Sequence, residues 1–294
     1  MQVDGVFSGG GIRGLAFVGA YEALEQRGIK FIRIGGTSAG AIIAAFIMAG
    51  YSSSEIKDMM EETDFRKLLD ERKLWLPIPF AKWLLLYKRM GLYKGDALEN
   101  WIESKLAQKG IHSFSDWPPQ AFRVIASDLS NAKLMVLPDD LQHYGIDPRA
   151  FSVAKAVRMS CSIPYFFEPV KLKIGKKKNL IVDGGVLSNF PMWLFDSENV
   201  KKVRPVLGLK ISSDQYLGEP KEIGNAFELF GGLFETMKDA HDSRYISRKL
   251  TPNILFIPSK GAGATEFHLT EEKKRELIEW GRTYTEAFLK RWSY

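Results

Sequence analysis

Apolar and polar positions recur along this chain with two periods, and its first fifty residues show both. Residues 2–7 form a short β-rich run, followed by a glycine-dense turn at 8–14. Over 15–27 apolar residues return at helical spacing (Leu15, Val18 and Leu24, with Tyr21 between), and Gly28 supplies the stop. Residues 31–34 predict a second strand, 35–40 a second small-residue turn, and 41–49 a buried helix closed by Gly50. Strand, helix, strand, helix is the unit of a parallel sheet covered by helices.

Further along, the pattern predicts a polar-faced helix over 52–69 and an apolar stretch over 74–86 broken by Pro77 and Pro79. A helix follows over 96–108, capped by Asp96 with Glu99 three residues later. Strands at 122–127 and 133–137 make a hairpin around Asn131. A short helix at 153–159 leads into Ser160-Cys161-Ser162-Ile163-Pro164. A second hairpin, 171–174 with 180–182, turns at Gly175 and delivers Asp183-Gly184-Gly185. A strand at 206–211, a helical region over 223–248 interrupted near Gly231-Gly232, a strand at 253–257 and a helix over 270–291 complete the chain. No repeat, low-complexity segment or linker divides it, so one α/β domain over 1–294 with a mainly parallel central sheet is expected.

Composition narrows the picture only slightly. Hydrophobic residues make up 45% and charged residues 26% of 294, ordinary for a protein with a buried core. A net charge of +6 admits an acidic partner, whether anionic lipid, nucleic acid or acidic substrate. No nucleic-acid-binding motif accompanies it, so nucleic acid is not an expected partner. Cys161 is the lone cysteine, which rules out an intrachain disulfide and favours a reducing compartment. The first residues lack the basic and apolar regions of a secretory signal, and no run of 18 uncharged apolar residues occurs. The expected location is cytoplasmic, with peripheral membrane contact as the further option and no membrane span.

The chemistry concentrates at three places. Gly36-Thr37-Ser38-Ala39-Gly40 is a Gly-x-Ser-x-Gly pentapeptide at a strand-to-helix junction. Such a turn holds the serine hydroxyl clear of the backbone and aims a helix N-terminus at developing negative charge. Its bland reading is a tight turn with an incidental serine. Gly9-Gly10-Gly11-Ile12-Arg13-Gly14 satisfies the dinucleotide-binding fingerprint literally, but the second strand ends without the acid that would hold a ribose. Converging backbone N–H groups of an oxyanion hole fit these glycines better. Arg13 either anchors an anionic head group or pairs with a neighbouring carboxylate.

The base for Ser38 is the third question. The order Ser38, Asp183, then His241 or His268 matches a Ser–Asp–His triad, yet too few strands precede Ser38 for that fold. None of His112, His143, His241 and His268 sits in a glycine-rich or strand-end setting. Asp183 ends a β-rich run and is followed by two glycines, which suits either a turn former or a base. A carboxylate of ordinary pKa, about 3.9, is a poor base at neutral pH. It serves only if sheltered from water and hydrogen-bonded to the serine.

Together these segments resemble the patatin-like phospholipase family. The resemblance rests on the Gly9–Gly14, Gly36–Gly40 and Asp183–Gly185 motifs, with support from Ser160 to Pro164 and from Gly91-Leu92-Tyr93-Lys94-Gly95. It covers roughly residues 1–212, and 213–294 carry no family signature. It implies a three-layer α/β/α fold and non-specific lipid acyl hydrolysis without metal or other cofactor. It further implies a Ser38–Asp183 dyad and an oxyanion hole from the backbone around Gly9, Gly10, Gly11 and Ala39. Arg13, Gly14, Gly36, Gly40, Gly184 and Gly185 would support the motifs. The implied substrate is a phospholipid or other lipid ester. The rival readings are an acyltransferase of similar architecture and a lipid-binding or storage protein without turnover. The stretch 73–90 pairs Trp75, Phe80, Trp83 and leucines with Lys73, Lys82, Lys88 and Arg89. It suits contact with an anionic membrane, and equally a helix packed on the core with a cationic edge.

Overall fold

The structure, a computed structural model, describes residues 1–71, 86–195, 204–212, 223–246, 251–258, 263 and 266–292. Its strands are β1 (Gln2–Phe7), β2 (Lys30–Thr37), β3 (Gly91–Tyr93), β4 (Phe122–Asp128), β5 (Lys133–Leu137), β6 (Tyr165–Phe167), β7 (Val170–Ile174), β8 (Lys177–Asp183), β9 (Val206–Ser212) and β10 (Ile254–Pro258). Its longer helices are α1 (Ala16–Gln26), α2 (Ala39–Met48), α3 (Ser53–Glu62), α4 (Asp96–Ala107), α5 (Val153–Ser160), α6 (Ala226–Tyr245) and α7 (Glu271–Leu289).

An eight-stranded sheet runs β10-β9-β1-β2-β4-β8-β7, with β5 also paired to β4. From β10 to β4 every pairing is parallel, whereas β5, β7 and β8 join antiparallel. Alternation along the strands builds two cores, one on each face. Val3, Phe7, Leu207, Leu209 and Ile211 face the larger core with α1, α2 and α7. Val6, Val206 and Ile254 face the smaller one, which Phe190, Met192, Leu194 and Phe195 close. The result is a three-layer α/β/α architecture.

Helices α1 and α7 cross in close contact. A Cβ on Gly19 would overlap the Ile278 carbonyl oxygen, and one on Gly281 would overlap the Ala16 carbonyl oxygen. The last helix is thus seated directly on the first. Lys274, 2% exposed, adds Nζ hydrogen bonds to Glu61 O (3.0 Å) and Thr63 O (2.8 Å). Those carbonyls lie at the C-terminus of α3, where a cation complements the helix dipole.

Three local expectations change. The helix over 52–69 stops at Glu62, because Thr63 turns extended and the Asp64 side chain accepts the Arg66 N–H to start a 3-10 turn at Phe65–Leu68. The 96–108 helix is not capped by Asp96: its N-cap is Gly95, left-handed at φ +83°, and the Asp70 carboxylate supplies the acceptors. Gly95 N and Ala97 N donate to it at 2.6 and 3.0 Å. The Gly231-Gly232 pair does not interrupt α6, which continues to Tyr245; residues 247–248 of the expected element lie outside the described part. Beyond these, β3 and β6 form a two-stranded parallel sheet, too short to read from periodicity. Of the 73–90 stretch, 73–85 lie outside the described residues.

Candidate active site

Strand β4 brings Ser38 and Asp183 together. Its residues 124 and 125 pair with both β2 and β5, and 126–128 pair with both β5 and β8. A strand residue has two edges, so β2 and β8 must share the same edge of β4 and meet end to end. Thr37, the last residue of β2, lies against Ile125; Asp183, the last of β8, lies against Ala126. The next residue of the first strand and the final residue of the other therefore converge. Two segments about 145 positions apart in sequence become neighbours by register.

Ser38 sits at the elbow between β2 and α2 with φ +54° and ψ −127°, a conformation costly for a side chain that bears a Cβ. Gly40 permits that turn to pass under β1, where a Cβ would lie 2.7 Å from the Phe7 carbonyl oxygen; at Gly36 it would lie 2.8 Å from Ala41 N. Gly14 makes room for Ala39 in the same way, at 2.7 Å. The segment after α5 holds both ends of the pair. Ser160 Oγ accepts the Ser38 N–H at 2.8 Å, and Ser162 O accepts the Asp183 N–H at 2.9 Å. Sequence reasoning singled out 160–164 as a recurrent segment but gave no role to either serine.

Asp183 is 2% exposed. Burial pushes its carboxyl above the ordinary range; the Lys238 charge, the nearby Ser38 hydroxyl and the Gly185 N–H oppose the rise. That N–H lies 2.7 Å from Asp183 Oδ1, which fixes one carboxylate oxygen on the turn opened by Gly184. Cys161 borders Ser38, but burial, followed by the Asp183 charge, drives its thiol pKa far up, so it is held neutral. Among the described residues, no histidine borders the Ser38 cavity.

The glycine loop behaves differently at its successive N–H groups. Gly9 N–H is donated to Asn189 O at 3.0 Å, which removes it from the expected oxyanion donors. Gly11 opens a 3-10 turn behind Gly10, and Ala39 opens α2; neither start has a side-chain cap. The first N–H groups of a helical segment lack an intrahelical acceptor, and among the described residues no backbone acceptor takes those of Gly10, Gly11 or Ala39. Arg13 takes the second of its two readings. Its Nε donates to Gly10 O at 3.1 Å and its Nη2 pairs with Glu235 of α6 at 2.9 Å, so it fastens the loop instead of facing a ligand.

An apolar cavity opens on Ser38, walled by Ile42, Met60, Phe65, Trp101, Phe167 and Phe267 among others. Helix α6 closes the opposite side of Asp183. Asp242 accepts from Phe190 N (3.0 Å), Asn189 Nδ2 (3.1 Å) and buried Lys210. Asn189 Oδ1 is buried without a hydrogen-bond partner among the described residues and lies 3.4 Å from where a Cβ would sit on Gly185. Among the described residues no cluster of His, Cys, Asp and Glu could hold a metal, and no helix is long and apolar enough to cross a membrane.

The elbow, the glycine loop and the Asp-Gly-Gly turn on this three-layer sheet define the class, and the chain matches the family described as patatin-like phospholipase over residues 5–196. The chain belongs to that family. It is 55% identical over its full length to the uncharacterized protein YqhO of Bacillus subtilis, covering 100% of both. It is 26% identical over 204 residues to human patatin-like phospholipase domain-containing protein 6, across 67% of this chain but 13% of that one. Among solved structures, VipD of Legionella pneumophila aligns with TM-score 0.58 at 18% identity, over 99% of this chain and 67% of that one. ExoU, in the complex with SpcU from Pseudomonas aeruginosa, aligns with TM-score 0.53 at 19% identity, over 99% and 52%. These two share the fold.

Proposed function

We propose that the chain is a serine lipid acyl hydrolase in which Ser38 and Asp183 form a histidine-free dyad. One observation carries this reading: a strained serine elbow lies at the mouth of an apolar cavity, at the strand end that also carries a buried carboxylate. Ser38 Oγ attacks the ester carbonyl while Asp183 takes its proton. The N–H groups of Gly10, Gly11 and Ala39 hold the negative charge on the carbonyl oxygen. The alcohol leaves with that proton, and the acyl group stays on Ser38 with its tail in the apolar cavity. Water, relieved of a proton by Asp183, then releases the fatty acid and restores the hydroxyl. Burial makes this chemistry feasible at neutral pH, because a carboxylate out of water is a stronger base than an exposed one.

The substrate is a phospholipid or another lipid ester, reached at an anionic membrane surface. In the described end of the 73–90 stretch, Tyr87 is 85% exposed and followed by Lys88 and Arg89, a combination suited to that contact. The test is a lipid panel assayed with wild type, Ser38→Ala and Asp183→Asn, together with labelling by a fluorophosphonate. Turnover lost in both variants, with labelling lost in Ser38→Ala, is the expected result. Full activity in Ser38→Ala would end the proposal.

A further inference from the structure

Helix α6 lies beyond the region that matches the family, residues 5–196, yet its inner face reaches the glycine loop and the Asp-Gly-Gly turn. Glu235, Lys238 and Asp242 follow at i, i+3 and i+7, the spacing of one helical stripe. Glu235 takes Arg13 of the glycine loop, and Asp242 takes Lys210 and the 189–190 backbone and amide. Between them Lys238 is 8% exposed, an unusual burial for a lysine. Its Cε lies 3.3 Å and Asp183 Oδ1 lies 2.9 Å from the same point, the position a Cβ would take on Gly185. The lysine side chain therefore lies near the carboxylate across Gly185, with its Nζ 5.3 Å from the Phe234 ring centroid. The outer face of α6 has the opposite character: Leu229, Leu233 and Met237 are half exposed.

We propose that Lys238 is a positioning residue of this hydrolase, whose nearby positive charge keeps the Asp183 carboxylate ionised against Ser38, so that a helix outside the matched region completes the dyad. The inference rests on the Ser38–Asp183 reading above. A carboxylate as enclosed as Asp183 faces two opposed demands. It must be sheltered enough to accept a proton from a serine, yet not so sheltered that it is already protonated at neutral pH. A single cation set behind it meets both demands, because it favours the charged form without admitting water. The groups around the pair agree with this. Asp183 faces Lys238, Ser38, Cys161 and the Gly185 N–H, while Lys238 faces Asp183, Asp242 and Glu235 against the one like charge of Arg13. Burial is the main cause that lowers the Lys238 pKa, with the Arg13 charge acting in the same direction, and the Asp183 charge is the largest factor that restores it.

The test compares wild type, Lys238→Met and Lys238→Arg on a soluble short-chain ester across acidic to alkaline pH. Lys238→Met should move the acid limb of kcat/KM upward by about 1–3 pH units, the size of an opposite charge at close range, and lower kcat at neutral pH with KM little changed. Lys238→Arg should keep the limb near its wild-type position. A Lys238→Met enzyme with the wild-type limb would overturn the role of Lys238 and leave the dyad standing. Activity in Ser38→Ala would overturn both. Should Lys238→Met fail to fold, nitrogen-15 NMR of the wild-type lysine side chains settles the matter. The Lys238 Nζ resonance must shift as Asp183 titrates, a shift absent in Asp183→Asn; an unmoved resonance in wild type would overturn the proposal.

Discussion

Ser160 accepts the Ser38 backbone N–H at 2.8 Å, the one described hydrogen bond that ties the nucleophile's amide to α5. Two residues on, Ser162 O accepts from Asp183 N, so a single turn sets the spacing between nucleophile and base. Ser160→Ala leaves a buried N–H without an acceptor, at a cost of about 1–3 kcal/mol. It also loosens an elbow whose geometry is already strained, and a displacement of about 1 Å can cost up to about 100-fold in rate. Urea unfolding and kcat on a short-chain ester should both fall. Unchanged kcat in a destabilised variant would separate Ser160 from catalysis.

Asp183 is expected to weaken the fold that it serves. Burial, the largest effect, raises its carboxyl pKa above the unfolded value, so the folded chain holds the proton more tightly. The stability linked to that proton is fully present below the unfolded value, about 3.9, and is lost as pH rises through the folded one. Asp183→Asn should therefore be inactive yet more stable than wild type at neutral pH, with the difference closing as pH falls. Melting temperatures across a pH series measure this. A variant less stable than wild type at neutral pH would contradict the burial argument.

The parts of this site that were legible in the sequence are those built from contiguous residues. Gly36 to Gly40 after a β-rich run is a local pattern, and so is Asp183-Gly184-Gly185; both fall where expected, at the ends of β2 and β8. What was not legible depends on contacts between distant segments. Nothing in the residues around Ser160 announces that its hydroxyl will meet Ser38, 122 positions away. The inner face of α6 escaped for a related reason: nothing local marks Glu235, Lys238 and Asp242 as the stripe turned inward. Glu235 and Asp242 find their partners on distant segments, Arg13 of the glycine loop and Lys210 of β9, while Leu229, Leu233 and Met237 stay half exposed.

Asp70 exemplifies a cap that no local rule finds. It lies 25 residues before Gly95 and receives both Gly95 N and Ala97 N, where Asp96 had been the expected cap. Asp70→Ala should cost about 1 kcal/mol, as for loss of an ordinary N-cap, and Asp96→Ala clearly less. Denaturant titrations of the two variants give the order directly, and a larger loss from Asp96→Ala would restore the local cap.

Two glycines in helices should respond in opposite directions to added side chains. Gly281 of α7 faces the Ala16 carbonyl so closely that any Cβ overlaps it, and the reciprocal contact is Gly19 against Ile278. Gly281→Val must push α7 away from α1, with a loss of about 3 kcal/mol and a lower denaturant midpoint. Gly231 of α6 has nothing within 4 Å of a Cβ and continues a regular helix. Gly231→Ala should therefore stabilise by about 0.5–1 kcal/mol, since alanine loses less backbone freedom on folding. Equal effects at both sites would mean that α7 is not seated on α1 through these glycines. The contrast also bears on function, because a stiffer α6 should leave kcat on a soluble ester intact if its inner face is already held by Arg13 and Lys210.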